Sequence, residues 1–200
     1  MRRRLLALGI GALSALAVAG PAFADTTPDP GNFRDSGSTR YFNAGASECG
    51  QSSCTDTNVS GQITELRSGE TFVSICFDQF TYPIRGGGQV SGLSGCADGV
   101  SMTIAGDLST ASADVTLIAQ QCGRRCSGEQ SVSVSVDLSA IGSPNAYSYT
   151  QKQQFENCTD TYRVRGQAAD AEGTITVDGT SLDAFGQIGS ETFAFSSRCR

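Results

Sequence analysis

Residues 121–138 read QCGRRCSGEQSVSVSVDL, a tight cysteine loop running straight into the clearest strand of the chain. Val132, Val134, Val136 and Leu138 alternate with Ser131, Ser133, Ser135 and Asp137, so an extended backbone puts every apolar side chain on one face and every polar one on the other. A helix would scatter them around its circumference. The stiff χ1 of the β-branched valines favours the extended form further.

Outward from this stretch the same two-residue period recurs, punctuated by Gly, Ser, Asp and Asn clusters, which is the pattern of an antiparallel all-β protein. It predicts strands near 40–43, 58–66, 71–82, 89–93, 100–107 and 113–121, then near 131–138, 146–156, 161–168, 173–178 and 191–197. So many strands overfill one flat sheet. The expected fold is therefore an antiparallel β-sandwich, two packed sheets stapled by disulfides, in a single domain over 39–200. Two β units meeting near 127 are the alternative, because six cysteines precede that point and two follow it. The alternation points inward Val59 and Ile63; Val73, Ile75 and Phe77; Val100, Met102 and Ile104; Val115 and Leu117; Tyr162 and Val164; Ile175 and Val177; and Phe193 and Phe195. Residues 182–188 lack both alternation and proline and read as a single turn.

Residues 1–24 read as a secretory signal peptide: Arg2, Arg3 and Arg4, an apolar run from Leu5 to Ala19, and the small-x-small site Ala22-Phe23-Ala24. A lipid-attachment cysteine next to the signal and a hydrophobic C-terminal tail are both missing, so the expectation is a released, secreted, extracellular protein with no membrane span in its mature chain. The style is that of a bacterial exported protein. The ordinary unfolded export route suits the cysteines better than the twin-arginine route that Arg2-Arg3 could suggest, since pairing requires an oxidising compartment. Residues 25–38, DTTPDPGNFRDSGS, carry two prolines and little apolar surface and read as a flexible leader.

Beyond Ala24 the chain has 11 basic against 20 acidic residues, a formal charge of −9. That balance argues against nucleic acid and anionic membranes as partners. With no histidine there is no Ser-His-Asp or Cys-His site and no imidazole zinc site. With no tryptophan the best flat surface for stacking sugars is absent as well.

The eight cysteines admit 105 pairings. Folding 71–82 back on 89–93 brings Cys76 opposite Cys96; Cys49 with Cys54 and Cys122 with Cys126 then brace local loops, leaving Cys158 for Cys199. Three motifs, Cys54-Thr-Asp56, Cys96-Ala-Asp98 and Cys158-Thr-Asp160, echo one another at irregular spacing, as a recurrent hairpin device would.

The sequence names no chemistry, but four features carry candidate roles. Arg124 and Arg125, held between Cys122 and Cys126, could present a rigid arginine to a trypsin-like serine protease; a constrained hairpin with solvated arginines is the plainer account. Tyr147 and Tyr149 share a strand face with Gln151, Gln153 and Phe155 and could line a ligand groove, although packed surface is the commoner use of such a stripe. Asp170 and Glu172, with Asp178 and Asp183, cluster near two turns and could bind calcium, off the EF-hand spacing. Any two of the many carboxylates could serve a hydrolase, which makes their presence uninformative. Arg163 and Arg165 face away from Tyr162 and Val164 and read as solvated strand cations that discourage edge pairing. The preferred function is a non-catalytic binding or structural module, its partner an unidentified extracellular protein or cell-surface component; the alternatives are the protease inhibitor and the carboxylate hydrolase.

Overall fold

The computed structural model describes residues 33–85, 91–122, 126–155 and 157–199, all of them in antiparallel strands or the turns between, with no helix among them. The expected signal peptide and most of the expected leader lie outside the described residues. Order begins earlier than Thr39, because β1 starts at Phe33.

Nine strands follow in chain order: β1 (Phe33–Cys49), β2 (Ser53–Leu66), β3 (Thr71–Pro83), β4 (Ser91–Asp98), β5 (Met102–Ile104), β6 (Thr110–Cys122), β7 (Cys126–Phe155), β8 (Cys158–Val177) and β9 (Thr180–Cys199). They form one sheet in the order β4-β3-β2-β1-β9-β8-β7-β6-β5, and β4 pairs with β6 as well, from Gly92 opposite Cys122 to Ser94 opposite Gln120. That pairing closes the sheet. Eight strands form a ring, and the short β5 lies beside β6 where β4 leaves off. The two packed sheets expected from the sequence are replaced by a single sheet that buries its apolar face by curling on itself.

Two pairs of expected strands are each one strand here, which reduces the count. Segments 131–138 and 146–156 are both β7, interrupted by a bulge in which Gly142, Ser143 and Pro144 stand opposite Ala169 alone. Gly142 takes a positive φ of 83°, and proline is tolerated because the ladder is already broken there. Segments 161–168 and 173–178 are both β8, and 182–188, expected as a turn, is part of β9. The tight turn in this region falls instead at Asp178-Gly179, both residues at positive φ, the requirement of a two-residue hairpin. Residues 32–200 make one compact unit, and the β6–β7 hairpin passes straight through position 127.

The ring's interior is filled by side chains. Val132, Val134, Val136 and Leu138 of β7 are each at most 1% exposed and face inward with Ala111, Ala113, Val115, Leu117 and Ala119 of β6. Thr110, Ser112, Asp114 and Thr116 point outward to solvent. Phe42, Ile75 and Phe77 fill the space left by the small alanines, an interleaving of large and small that suits a narrow barrel. Leu108, in the turn from β5 to β6, is fully buried despite a φ of 61°. Arg40 Nη1 donates to the Ile104 carbonyl at 3.1 Å and ties this turn to β1, at the end of the barrel where β6 begins.

Past that end four strands continue farthest, with β2 alongside β1 only as far as Leu66 opposite Gly37. β7 beyond Asn145 pairs with β8 (Ala168 back to Cys158), β8 with β9 (Gly189 to Cys199), and β9 with β1 (Tyr41 back to Phe33), whereas β6 stops at Thr110 opposite Ser139. This four-stranded extension carries the candidate site.

Candidate binding site on the sheet extension

Along β8 and β9 the covered side of the sheet changes without any inserted residue. In the barrel the buried positions are Ala169, Ala171 and Ile175 of β8 and Leu182, Ala184 and Ile188 of β9, all facing inward. In the extension they are Val164, with Phe193 partly covered beside it, and these project from the opposite face. Tyr162, Val164, Phe193 and Phe195, expected in the main core, therefore belong to a separate cluster.

That cluster forms the outer face. Tyr147 and Tyr149 share it, as their spacing requires. Tyr149 stacks obliquely on Tyr162 with centroids 6.3 Å apart, and Tyr162 meets Phe193 at 6.2 Å. Three rings lie over glycines of the neighbouring strand: Tyr41 over Gly189, Tyr147 over Gly166 and Phe193 over Gly37, each glycine leaving room that a Cβ would fill. The Tyr41 and Tyr147 hydroxyls are 3.0 Å apart, and Tyr147 donates to Glu191 Oε1 at 2.5 Å. Burial, and then the hydrogen bond to the Glu191 carboxylate, hold the Tyr147 phenol far above its ordinary range. Burial pushes Tyr162 up to about 12, and it raises Tyr41 and Tyr149 too. All four phenols are protonated donors at neutral pH. Val164 beneath them is 1% exposed, while Tyr149 keeps 45% of its surface open. Most of this aromatic area is thus spent on packing the extension.

The inner face is different in kind. It continues the barrel's inward positions, but past Arg40 these become Arg34, Ser36 and Ser38 on β1, Lys152 and Gln154 on β7, Thr159, Thr161, Arg163 and Arg165 on β8, and Ser196 and Arg198 on β9. A cleft of about 1240 Å³ lies against it. Five cations line the cleft: Arg34, Arg67, Lys152, Arg163 and Arg198, with Arg67 brought in where its N–H bonds the Ser36 carbonyl. Asp35 is the one lining acid among the described residues, and its Oδ1 accepts from the Ser36 N–H at 2.7 Å. The ion pair among the described residues is Arg40 with Glu65 at 3.3 Å, outside the cleft, so among the described residues the five lining cations have no carboxylate partner. A protein with a formal charge of −6 has gathered positive charge on one surface.

The sequence expected Arg163 and Arg165 to protect an edge. β8 instead lies between β7 and β9, and Arg163 faces the cleft. Arg34 falls in the stretch that reads as a leader, and Arg67, Lys152 and Arg198 carry no signal singly. A signal did exist: in 34–40 and 159–165 arginine alternates in phase with serine or threonine, a strand with a wet cationic face.

Three disulfides join Cys49 to Cys54, Cys76 to Cys96 and Cys158 to Cys199, as the hairpin geometry predicts. Cys122 is also disulfide-bonded and stands in register opposite Cys126. Arg124 and Arg125 lie outside the described residues. Of the acids considered for calcium, Asp170 accepts from Gln187 at 3.2 Å and Asp178 from the Ser133 N–H at 2.9 Å. Among the described residues no three His, Cys, Asp or Glu side chains gather as a metal cage. No family model, curated protein or solved structure matches this chain.

Proposed function

We propose that the chain is a secreted, non-catalytic binding module that holds an anionic ligand in the cleft of its sheet extension. The observation that carries this reading is the convergence of Arg34, Arg67, Lys152, Arg163 and Arg198 on one cleft with no carboxylate partner among the described residues. Unpaired guanidinium groups offer planar, forked donors that match carboxylate, sulfate and phosphate oxygens. Like charges gathered at strand spacing repel one another until an anion arrives, so part of the binding energy is relief of that repulsion. A rigid scaffold supports the role: three disulfides brace the hairpins, fit an oxidising compartment, and keep the cations arranged before the ligand binds. No helix of the described residues is long and apolar enough to cross a membrane.

Passage over a sulfonate cation-exchange matrix at neutral pH and low salt tests the reading. A protein of this net charge should flow through unless one surface is strongly positive. Retention is expected, with elution at moderate salt, and a triple Arg34→Gln, Arg163→Gln, Arg198→Gln variant should pass unretained. If the unaltered protein flows through as well, the cleft is not an anion site.

A further inference from the structure

The arrangement of the cations says more about the ligand than its charge. Lys152, Thr161, Ser196 and Arg34 stand opposite one another across β7, β8, β9 and β1. Lys152 and Arg34 are therefore three inter-strand steps apart, about 14 Å. Arg198 lies two residues towards the tip of the extension, opposite Thr159, and Arg163 two residues towards the barrel, opposite Ala194. Each of those steps is about 7 Å along the strands. Arg67 joins the Arg163 level through Ser36, whose partner on β9 is Ala194. The five charges thus occupy a field too wide for one small anion to touch, and a chain bearing a charge on successive units could meet them in turn.

Between the cations the lining is hydroxyl and amide: Ser36, Thr159, Thr161, Ser196, Gln154 and Asn157. Such groups both donate and accept, which is what ring hydroxyls of a sugar require. Single-stranded nucleic acid needs aromatic platforms for its bases as well as cations for its backbone. Phe195 is the one aromatic residue bordering the cleft among the described residues, and its register with Tyr162 puts its side chain on the opposite face, where Tyr41, Tyr147, Tyr149 and Phe193 also lie. We infer that the ligand of the cleft is a linear acidic polysaccharide, its sugar units carrying carboxylate or sulfate, bound across the four strands of the extension. This rests on the anion-binding reading above.

Fluorescence titration of the whole secreted protein with polygalacturonate, dextran sulfate, monomeric galacturonate, neutral dextran, polyphosphate and a single-stranded oligodeoxynucleotide tests it. Polygalacturonate or dextran sulfate should bind, and which of the two binds tighter identifies the charged group. The monomer should bind at least a hundredfold more weakly, and the logarithm of the affinity should fall linearly with that of salt. Lys152→Gln and Arg163→Gln, both at exposed positions, should each lower the affinity several-fold and flatten the salt slope, while Arg85→Gln leaves both unchanged. Equal or tighter binding of polyphosphate or the oligonucleotide would overturn the polysaccharide and leave the anion site standing. Equal binding of neutral dextran or of the monomer would overturn the role of charge or of chain length. Binding of none of the six would remove both readings together.

Discussion

Replacing Cys158 and Cys199 by serine tests how the extension is held. These cysteines face each other at the far end of the β8–β9 ladder and close a loop with a sequence separation of 41, against 20 for Cys76–Cys96 and 5 for Cys49–Cys54. On the chain-entropy account the stabilisation grows with the logarithm of the loop, giving about 4 kcal/mol for Cys158–Cys199, about 3 for Cys76–Cys96 and about 2 for Cys49–Cys54. For a domain stable by roughly 5–15 kcal/mol the first is a large share. Urea unfolding followed by circular dichroism should show the double variant losing about twice as much unfolding free energy as a Cys49→Ser, Cys54→Ser variant, with a steeper slope because the released denatured chain exposes more surface. The competing outcome is local: the tip frays, amide exchange rises from Cys158 towards Val164, and global unfolding is untouched. An effect on global stability equal to or smaller than that of the Cys49–Cys54 variant would refute the loop argument and show that the extension opens independently of the barrel.

At Leu108 the usual order of small residues should invert. Removing this fully buried side chain costs about 2–5 kcal/mol, but alanine retains the penalty of a positive φ whereas glycine does not, so Leu108→Gly should unfold at no lower urea concentration than Leu108→Ala. Alkaline stability follows from the phenols: Tyr162 and Tyr147 hold their protons more tightly folded than unfolded, so their contribution is fully present below the ordinary phenol value of 10.0 and is lost as pH rises, through about 12 for Tyr162. Urea midpoints should stay level up to about pH 10 and fall above it, and Tyr147→Phe should shallow that fall; a midpoint unchanged between pH 10 and 12 would contradict the cluster's burial.

How much of this was legible depends on where the two-residue period keeps its phase. Val132 to Leu138 never lose it, and the strand, its inward face and the hairpin with β6 follow from that stretch. In β8 the apolar positions run Tyr162, Val164, then Ile175, Val177, even numbers giving way to odd, and the phase change reads as a turn between two strands. The backbone makes no turn there; the cover passes from the outer cluster to the inner core. Leu182, Ala184 and Ile188 followed by Phe193 and Phe195 mislead in the same way, which is why β9 looked half absent. Closure of the sheet was out of reach, because Gly92 to Ser94 pairing with Gln120 to Cys122 is a non-local choice that neither segment's composition records. The three cystine pairings were reachable, since each bridges facing positions of adjacent strands. The cleft was not: its arginines come from four separate segments, and only the strand order brings them together.

The exchange of cover between faces frees the cleft from the barrel. Position for position, the side of β1, β8 and β9 that carries Phe42, Ala169 and Ile188 in the barrel carries Arg34, Arg163 and Arg198 in the extension, where the packing duty has moved to Val164 and the rings on the other side. Substitutions at Arg34, Lys152, Arg163 and Arg198 should therefore disturb neither the core nor the aromatic cluster. On the proposed reading the protein is a fixed handle with a rewritable palm, so that its ligand could be exchanged while the fold stays as it is.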